Sequence, residues 1–135
     1  MSEIQKCTLV PTRFFDGKAP RFFSISKYDV ILVCDGDYEP ALYRVILSLD
    51  KCCEYNKIVV LFDGYAVHLA IAQGENLLLA NSYPATDFVT AQYYIFAALK
   101  TLQINPEVSS VCFLSEIGEE ERMSLYRYFK GVDQL

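Results

Sequence analysis

Residues 58–83 read IVVLFDGYAVHLAIAQGENLLLANSY. Asp63-Gly64 closes one apolar run, and Gly74-Glu75-Asn76 closes the next. Asp-Gly tolerates positive φ and suits a tight hairpin turn. Three strands are expected: Lys57 to Asp63, Val67 to Gln73 and Leu77 to Tyr83. Loops this short allow only antiparallel pairing, since parallel neighbours need a long crossover. The segment therefore reads as an antiparallel meander. Whether the Asp63-Gly64 turn holds a phosphate or only turns a corner is the functional question it raises.

The downstream sequence extends the meander. Thr86 and Asp87 open a helix, Thr86 as the expected N-cap and Asp87 as an acid near the positive end of the macrodipole. Phe88, Ala91, Ile95, Ala98, Leu99 and Leu102 form its packing stripe, which Val89, Tyr93 and Phe96 are expected to widen. SSVCFLSE at 109–116 is a near-continuous apolar strand. Glu119, Glu120 and Glu121 start a last helix, with Met123, Tyr126 and Phe129 or Lys130 inward and Gly131 as its stop. A helix between the meander and a further strand is a right-handed crossover, which sets that strand parallel to the first. The order strand, strand, strand, helix, strand, helix is the half-unit of a ribonuclease-H-like sheet.

Upstream, CTLVP at 7–11 is a short strand stopped by Pro11, and TRFF makes one helical turn. YDVILVCD at 28–35 is a strand apolar enough for burial on both faces. A helix is expected from Asp37, with Pro40 in its first turn, to about Tyr55-Asn56. Leu42, Val45, Ile46, Leu49, Cys52 and Cys53 repeat along one face, while Glu39, Arg44, Lys51 and Glu54 lie off it. The fold class is α/β: a mixed five- to six-stranded sheet with packed helices. The 135 residues fit one domain.

Hydrophobic residues make up 53% of the chain, which supports a substantial core. No apolar run approaches the ~20 residues of a membrane span, and the N-terminus has no apolar region of signal-peptide length. The net charge is −5, and no basic cluster exceeds the Lys18/Arg21 pair. Phosphate contacts carry most nucleic-acid affinity, so this distribution argues against that class of partner. Five cysteines cannot all pair internally. No C-x-x-C occurs and His68 is the only histidine, so zinc-ligand spacing is missing. Reduced, buried thiols in a cytoplasmic protein are expected. His68 reads as a packed or edge histidine, without a Cys or Ser at motif spacing.

Four segments, CTLVPTRFFD, FDGYAVHLAIAQGENLLLANSY, TDFVTAQYYIFAALKTLQINPE and VCFLSEI, together resemble a bacterial family of unassigned function with an actin-like ATPase fold. That family is distantly similar to the actin-like proteins of pilus assembly and type II secretion. Its members are about twice this length, with two ribonuclease-H-like halves. The resemblance implies that residues 57–135 match the second half and residues 1–56 the tail of the first, in a short form or a fragment. It also implies a nucleotide in the cleft between halves, of which this chain would offer one wall.

Actin-like ATPases hold phosphates with a glycine-rich turn whose backbone N–H groups approach the oxygens closely. Here only Asp63 and Gly64 remain, Tyr65 adds bulk, and no hydroxyl residue follows. The adenine-side glycines are replaced by Leu114-Ser115-Glu116, and the Glu116 carboxylate would repel phosphate. Asp63, Gly64 and Glu116 are thus degenerate nucleotide-site positions. A two-metal nuclease would need carboxylates at Asp63, Glu116 and a third point, and Asp87 is poorly placed to supply it. No catalytic residue, metal or cofactor is assigned. The adjacent aromatics Phe14-Phe15, Phe22-Phe23 and Tyr93-Tyr94 mark a partner surface wherever one member is exposed. The favoured function is a non-catalytic interaction or scaffold module, with a protein partner or self-association and no membrane insertion. The alternative is a nucleotide-binding ATPase-like protein whose site is completed by dimerisation.

Overall fold

The structure, a computed structural model, describes residues 6–19, 21–36 and 38–135. Near the N-terminus Cys7–Pro11 (β1), Arg21–Ile25 (β2) and Val30–Cys34 (β3) form a small antiparallel sheet in the order β1-β3-β2. β2 was not expected: the Phe-Phe pair hides its alternation. Phe23 turns inward and stacks on Tyr43 at 4.5 Å, whereas Phe22 is exposed.

Helix α1 is shorter than expected, running from Ala41 to Leu47. Pro40 is its extended N-cap and lies outside the first turn. The expected start at Asp37 lies outside the described residues. A 3₁₀ turn follows at Ser48–Lys51, and Cys52 is already extended. The chain leaves the helix early because Lys57 ties it down elsewhere: its ammonium donates to Cys52 O at 3.0 Å and Glu54 O at 2.6 Å. Cys53 is therefore exposed and has left the helix stripe.

The meander forms as read. Asn56–Phe62 (β4), Ala66–Gln73 (β5) and Asn76–Pro84 (β6) pair antiparallel. Phe88–Leu102 is α2. Its N-cap is Asp87 in place of Thr86, because the Asp87 carboxylate accepts the Thr90 N–H at 2.7 Å. Ser110–Phe113 (β7) lies parallel to β4, as the crossover requires. Glu119–Tyr126 is α3, and Glu121 reaches back to the Gly118 N–H at 2.7 Å. Gly131 begins a further strand, Gly131–Gln134 (β8), parallel to β7. A Cβ at Gly131 would stand 2.7 Å from Ser110 Oγ and 3.5 Å from Ser110 Cβ, so a side chain there requires the Ser110 hydroxyl to turn away. The five-stranded sheet has the mixed order β6-β5-β4-β7-β8.

This sheet is covered on both faces. Ile58, Val60, Leu69, Ile71, Val111 and Phe113 meet Ala91, Ile95 and Leu99 of α2, with Leu125 and Phe129 beyond. On the other face Val59, Leu61, Ala70 and Ala72 meet Leu42, Val45 and Ile46 of α1, in a cluster that takes in Ile25 and Leu32 of the small sheet. Val89 and Tyr93, expected to widen the α2 stripe, are 77% and 67% exposed, and Met123 and Tyr126 of α3 also face outward. Phe129 is inward as expected, and Leu125 fills the space the others were expected to take. Leu69, with no exposed surface, tests this packing. Leu69→Ala should cost about 2–5 kcal/mol, seen as a lower urea midpoint at unchanged slope.

Candidate functional site

Asp63 leaves β4 and begins the turn into β5. Its N–H donates to Ala66 O at 3.2 Å, which closes the hairpin. Gly64 has φ 88°, a value glycine adopts without strain. The Asp63 carboxylate folds back over this turn. Its Oδ1 accepts the N–H groups of Tyr65 and Ala66, each at 2.8 Å. Its Oδ2 stands 3.3 Å from His68 Nε2, and His68 Nδ1 stands 2.7 Å from Ser82 Oγ. Register explains the last contact: His68 and Ser82 are direct partners across β5 and β6. The result is an Asp–His–Ser chain.

The proton positions follow from donor and acceptor chemistry. An ionised carboxylate only accepts, so a neutral His68 carries its proton on Nε2 and donates to Asp63. Nδ1 then accepts from the Ser82 hydroxyl. Burial disfavours the imidazolium and holds His68 below its usual 6.5, against the pull of Asp63 and with help from the Arg44 charge. Burial also works against the Asp63 carboxylate, but the two turn N–H groups and His68 outweigh it, and its pKa lies below 3.8.

Beside this chain is a cleft of about 590 Å³, lined among others by Arg44, Ser48, Lys51, Asp63, Leu114 and Ser115. It lies at the carboxyl ends of the parallel pair β4 and β7, where open α/β sheets place ligands. Ser115 Oγ accepts the Phe62 N–H at 3.0 Å and so completes the end of β4.

Of the expected positions, Asp63 and Gly64 share the turn. Glu116 is exposed, lies three residues past β7, and is not among the residues lining the cleft. Asp87 is occupied as a helix cap. Among the described residues, no group of three or more His, Cys, Asp or Glu side chains could hold a metal ion. Sequence reasoning missed the His68–Ser82 pair and the Arg44 and Lys51 lining. Pairing across the Gly74 hairpin carries no signal for the first, since an unbroken register sets Asn81 opposite His68 and only a bulge between Ile71 and Ala72 brings in Ser82. The seven-residue separation of Arg44 and Lys51, two helical turns, was the signal for the second.

The chain makes stability pH-dependent. Below about pH 6.5 the unfolded chain takes up a proton that the native imidazole refuses, so native stability falls as pH drops. Asp63, depressed in the native state, contributes stability that is present above 3.8 and lost as pH falls through its lower native value. Urea unfolding at about pH 7 and about pH 5.5 should show a loss of up to ~1.4 kcal/mol per pH unit from His68. His68→Gln should remove that part of the loss. Ser82→Ala, which leaves Nδ1 without a donor, should cost about 1–3 kcal/mol at neutral pH.

Comparison with known proteins supports the fold and leaves the site's role open. A Bacteroides thetaiotaomicron crystal structure, described as a protein with actin-like ATPase fold and unknown function, superposes with a TM-score of 0.75 at 16% identity. The match covers 96% of this chain and 64% of that one, so this chain spans less than two thirds of that protein's length. No curated protein matches the sequence. The model of the family described as "Protein of unknown function (DUF3822)" matches residues 39–132, from the residue before Pro40 into β8, and the chain belongs to that family.

Proposed function

We propose that this protein is a non-catalytic interaction module on an actin-like frame that no longer carries nucleotide chemistry. One observation carries the reading. The turn N–H groups of Tyr65 and Ala66, which a phosphate would need, are already taken by the Asp63 carboxylate. A phosphate arriving there would face both an occupied donor pair and a negative charge. Tyr65, on the same turn, is 53% exposed and projects bulk where a phosphate would approach.

Exposed aromatics support a protein partner or a second copy of the chain. One member of each adjacent pair faces outward: Phe14, Phe22 and Tyr93. Val89 and Tyr93 stand one turn apart on α2, and Gln92 joins α2 to Ser124 of α3 through a 3.3 Å hydrogen bond. Large exposed apolar side chains gathered on packed helices suit an interface. Among the described residues, no helix is long and apolar enough to cross a membrane. We take residues 57–135 as the second ribonuclease-H-like half, residues 1–56 as the tail of a first, and the cytoplasm as the site of action.

A second reading rests on the cleft beside Asp63. Arg44 and Lys51 line it at the carboxyl ends of β4 and β7, as an anionic ligand would require. A second copy of the chain would then supply the opposite wall for a nucleotide.

Thermal melts at several protein concentrations, with and without millimolar Mg-ATP or Mg-ADP, separate the two. The interaction module predicts no nucleotide shift, and self-association predicts a Tm that rises with protein concentration. A ligand at about 100 times its Kd would add roughly 2.7 kcal/mol, a shift of several degrees. Such a shift, or ATP hydrolysis abolished by Asp63→Ala, would overturn the non-catalytic reading.

A further inference from the structure

Four of the five cysteines meet in two pairs. Cys7 Sγ stands 3.2 Å from Cys34 Sγ, and Cys52 Sγ stands 3.3 Å from Cys112 Sγ. None of the five is in a disulfide, and Cys53 is exposed. The two pairs differ in access. Cys7 is half-buried at the edge strand β1, beside a Cys34 that is 2% exposed. Cys52 and Cys112 are 7% and 5% exposed; they and Cys34 all belong to the apolar cluster between α1 and the large sheet, so the difference in access rests on Cys7, which only packs against its edge.

Sheet register places the first pair for bonding. Cys7 and Cys34 are direct partners across β1 and β3. The neighbouring Asp35 N–H donates to Lys6 O at 3.2 Å, which makes Lys6 and Asp35 a hydrogen-bonded pair. The pair beside it is then non-hydrogen-bonded, the position where facing side chains stand closest, with Cα atoms ~4.5 Å apart. That separation is within the ~4.4–6.8 Å that disulfides span. The strands need not move for the sulfurs to join.

We propose that Cys7 and Cys34 are the site of a reversible cross-strand disulfide, formed by exchange with a small-molecule disulfide. The Cys7 thiolate attacks one sulfur of the reagent, giving a mixed disulfide and releasing one reagent thiolate. The Cys34 thiolate attacks the Cys7 sulfur, closing the protein disulfide and releasing the second reagent thiolate. The two protons lost by the protein thiols end on the released thiolates. The protein gives up two electrons and the reagent takes them. The new bond staples an edge strand to the centre of the small sheet and closes the loop that carries β2.

The chemistry at Cys7 sets the rate. Burial, the hydrogen bond to Cys34 and the charge of Asp35 push the Cys7 thiol up to about 12. Little thiolate exists at neutral pH, and exchange through Cys7 should speed up about tenfold per pH unit. The pair therefore stays reduced through brief oxidant exposure and closes under sustained exposure.

The test is incubation of the folded chain with oxidised glutathione at mildly alkaline pH, followed by alkylation, digestion and mass spectrometry. A Cys7–Cys34 cross-linked peptide is expected, with glutathione retained on Cys53 and with Cys52 and Cys112 alkylated only after unfolding. The oxidised chain should melt on the order of 10 °C higher than the reduced one. Cys7→Ser, a change at a half-exposed edge position, should abolish both the cross-link and the shift. Three outcomes would overturn the proposal: Cys7 remaining alkylatable while Cys53 reacts, Cys7 halting at the mixed disulfide, or a disulfide at Cys52–Cys112 with Cys7 and Cys34 still reduced.

Discussion

Strand β5 has to be covered on both faces, and the layering follows from that constraint. Seven of its eight residues are buried. A strand apolar on both sides cannot sit at the surface of a two-layer protein. α2 and α3 cover one face, while α1 and the small sheet cover the other. The same burial creates the polar problem at the site's centre. His68 is 8% exposed among the apolar residues of β5, and a buried ring nitrogen without a partner is costly. Asp63, in the turn before β5, and Ser82, on the neighbouring β6, supply both partners.

The Asp63 turn uses on itself the donors that a phosphate loop offers outward. Each carboxylate oxygen is engaged, one by the turn N–H groups and the other by His68. Such a corner is stable without a ligand. The cleft beside it keeps two cations, Arg44 and Lys51, at the usual ligand position of an α/β sheet. The frame is an actin-like fold, while the turn chemistry is that of a closed hairpin. The proposed interaction module rests on this contrast.

The thiol pairs follow the same layering. Cys52 and Cys112 sit where α1 meets the large sheet, sealed as small hydrophobes. Cys34 belongs to the same buried cluster, but its partner Cys7 is on the edge strand β1 and only half-buried. An odd number of cysteines is consistent with both pairs, since Cys53 points away from the core.

The meander, the crossover helix and the parallel β4–β7 pair were legible in the sequence. Short turns, Asp-Gly and apolar periodicity are local signals, and chain connectivity leaves them one arrangement. Asp63 and Gly64 were legible for the same reason. The His68–Ser82 contact was not. Register shifts between Ile71 and Ala72, where Leu79 and Leu77 are the respective partners and Leu78 is the extra residue. Without that bulge Asn81 would stand opposite His68, and every later side chain of β6 would change face. The end of α1 and the strand at Gly131 were also settled at a distance, by the Lys57 ammonium and by parallel pairing with β7. Sequence by itself determined the strands and helices of the meander and crossover and how short connections pair them; β2, β8 and the end of α1 came only with the structure. Tertiary structure decided which side chains meet, because a one-residue shift in register costs little locally and is resolved only by what the layers above and below must bury.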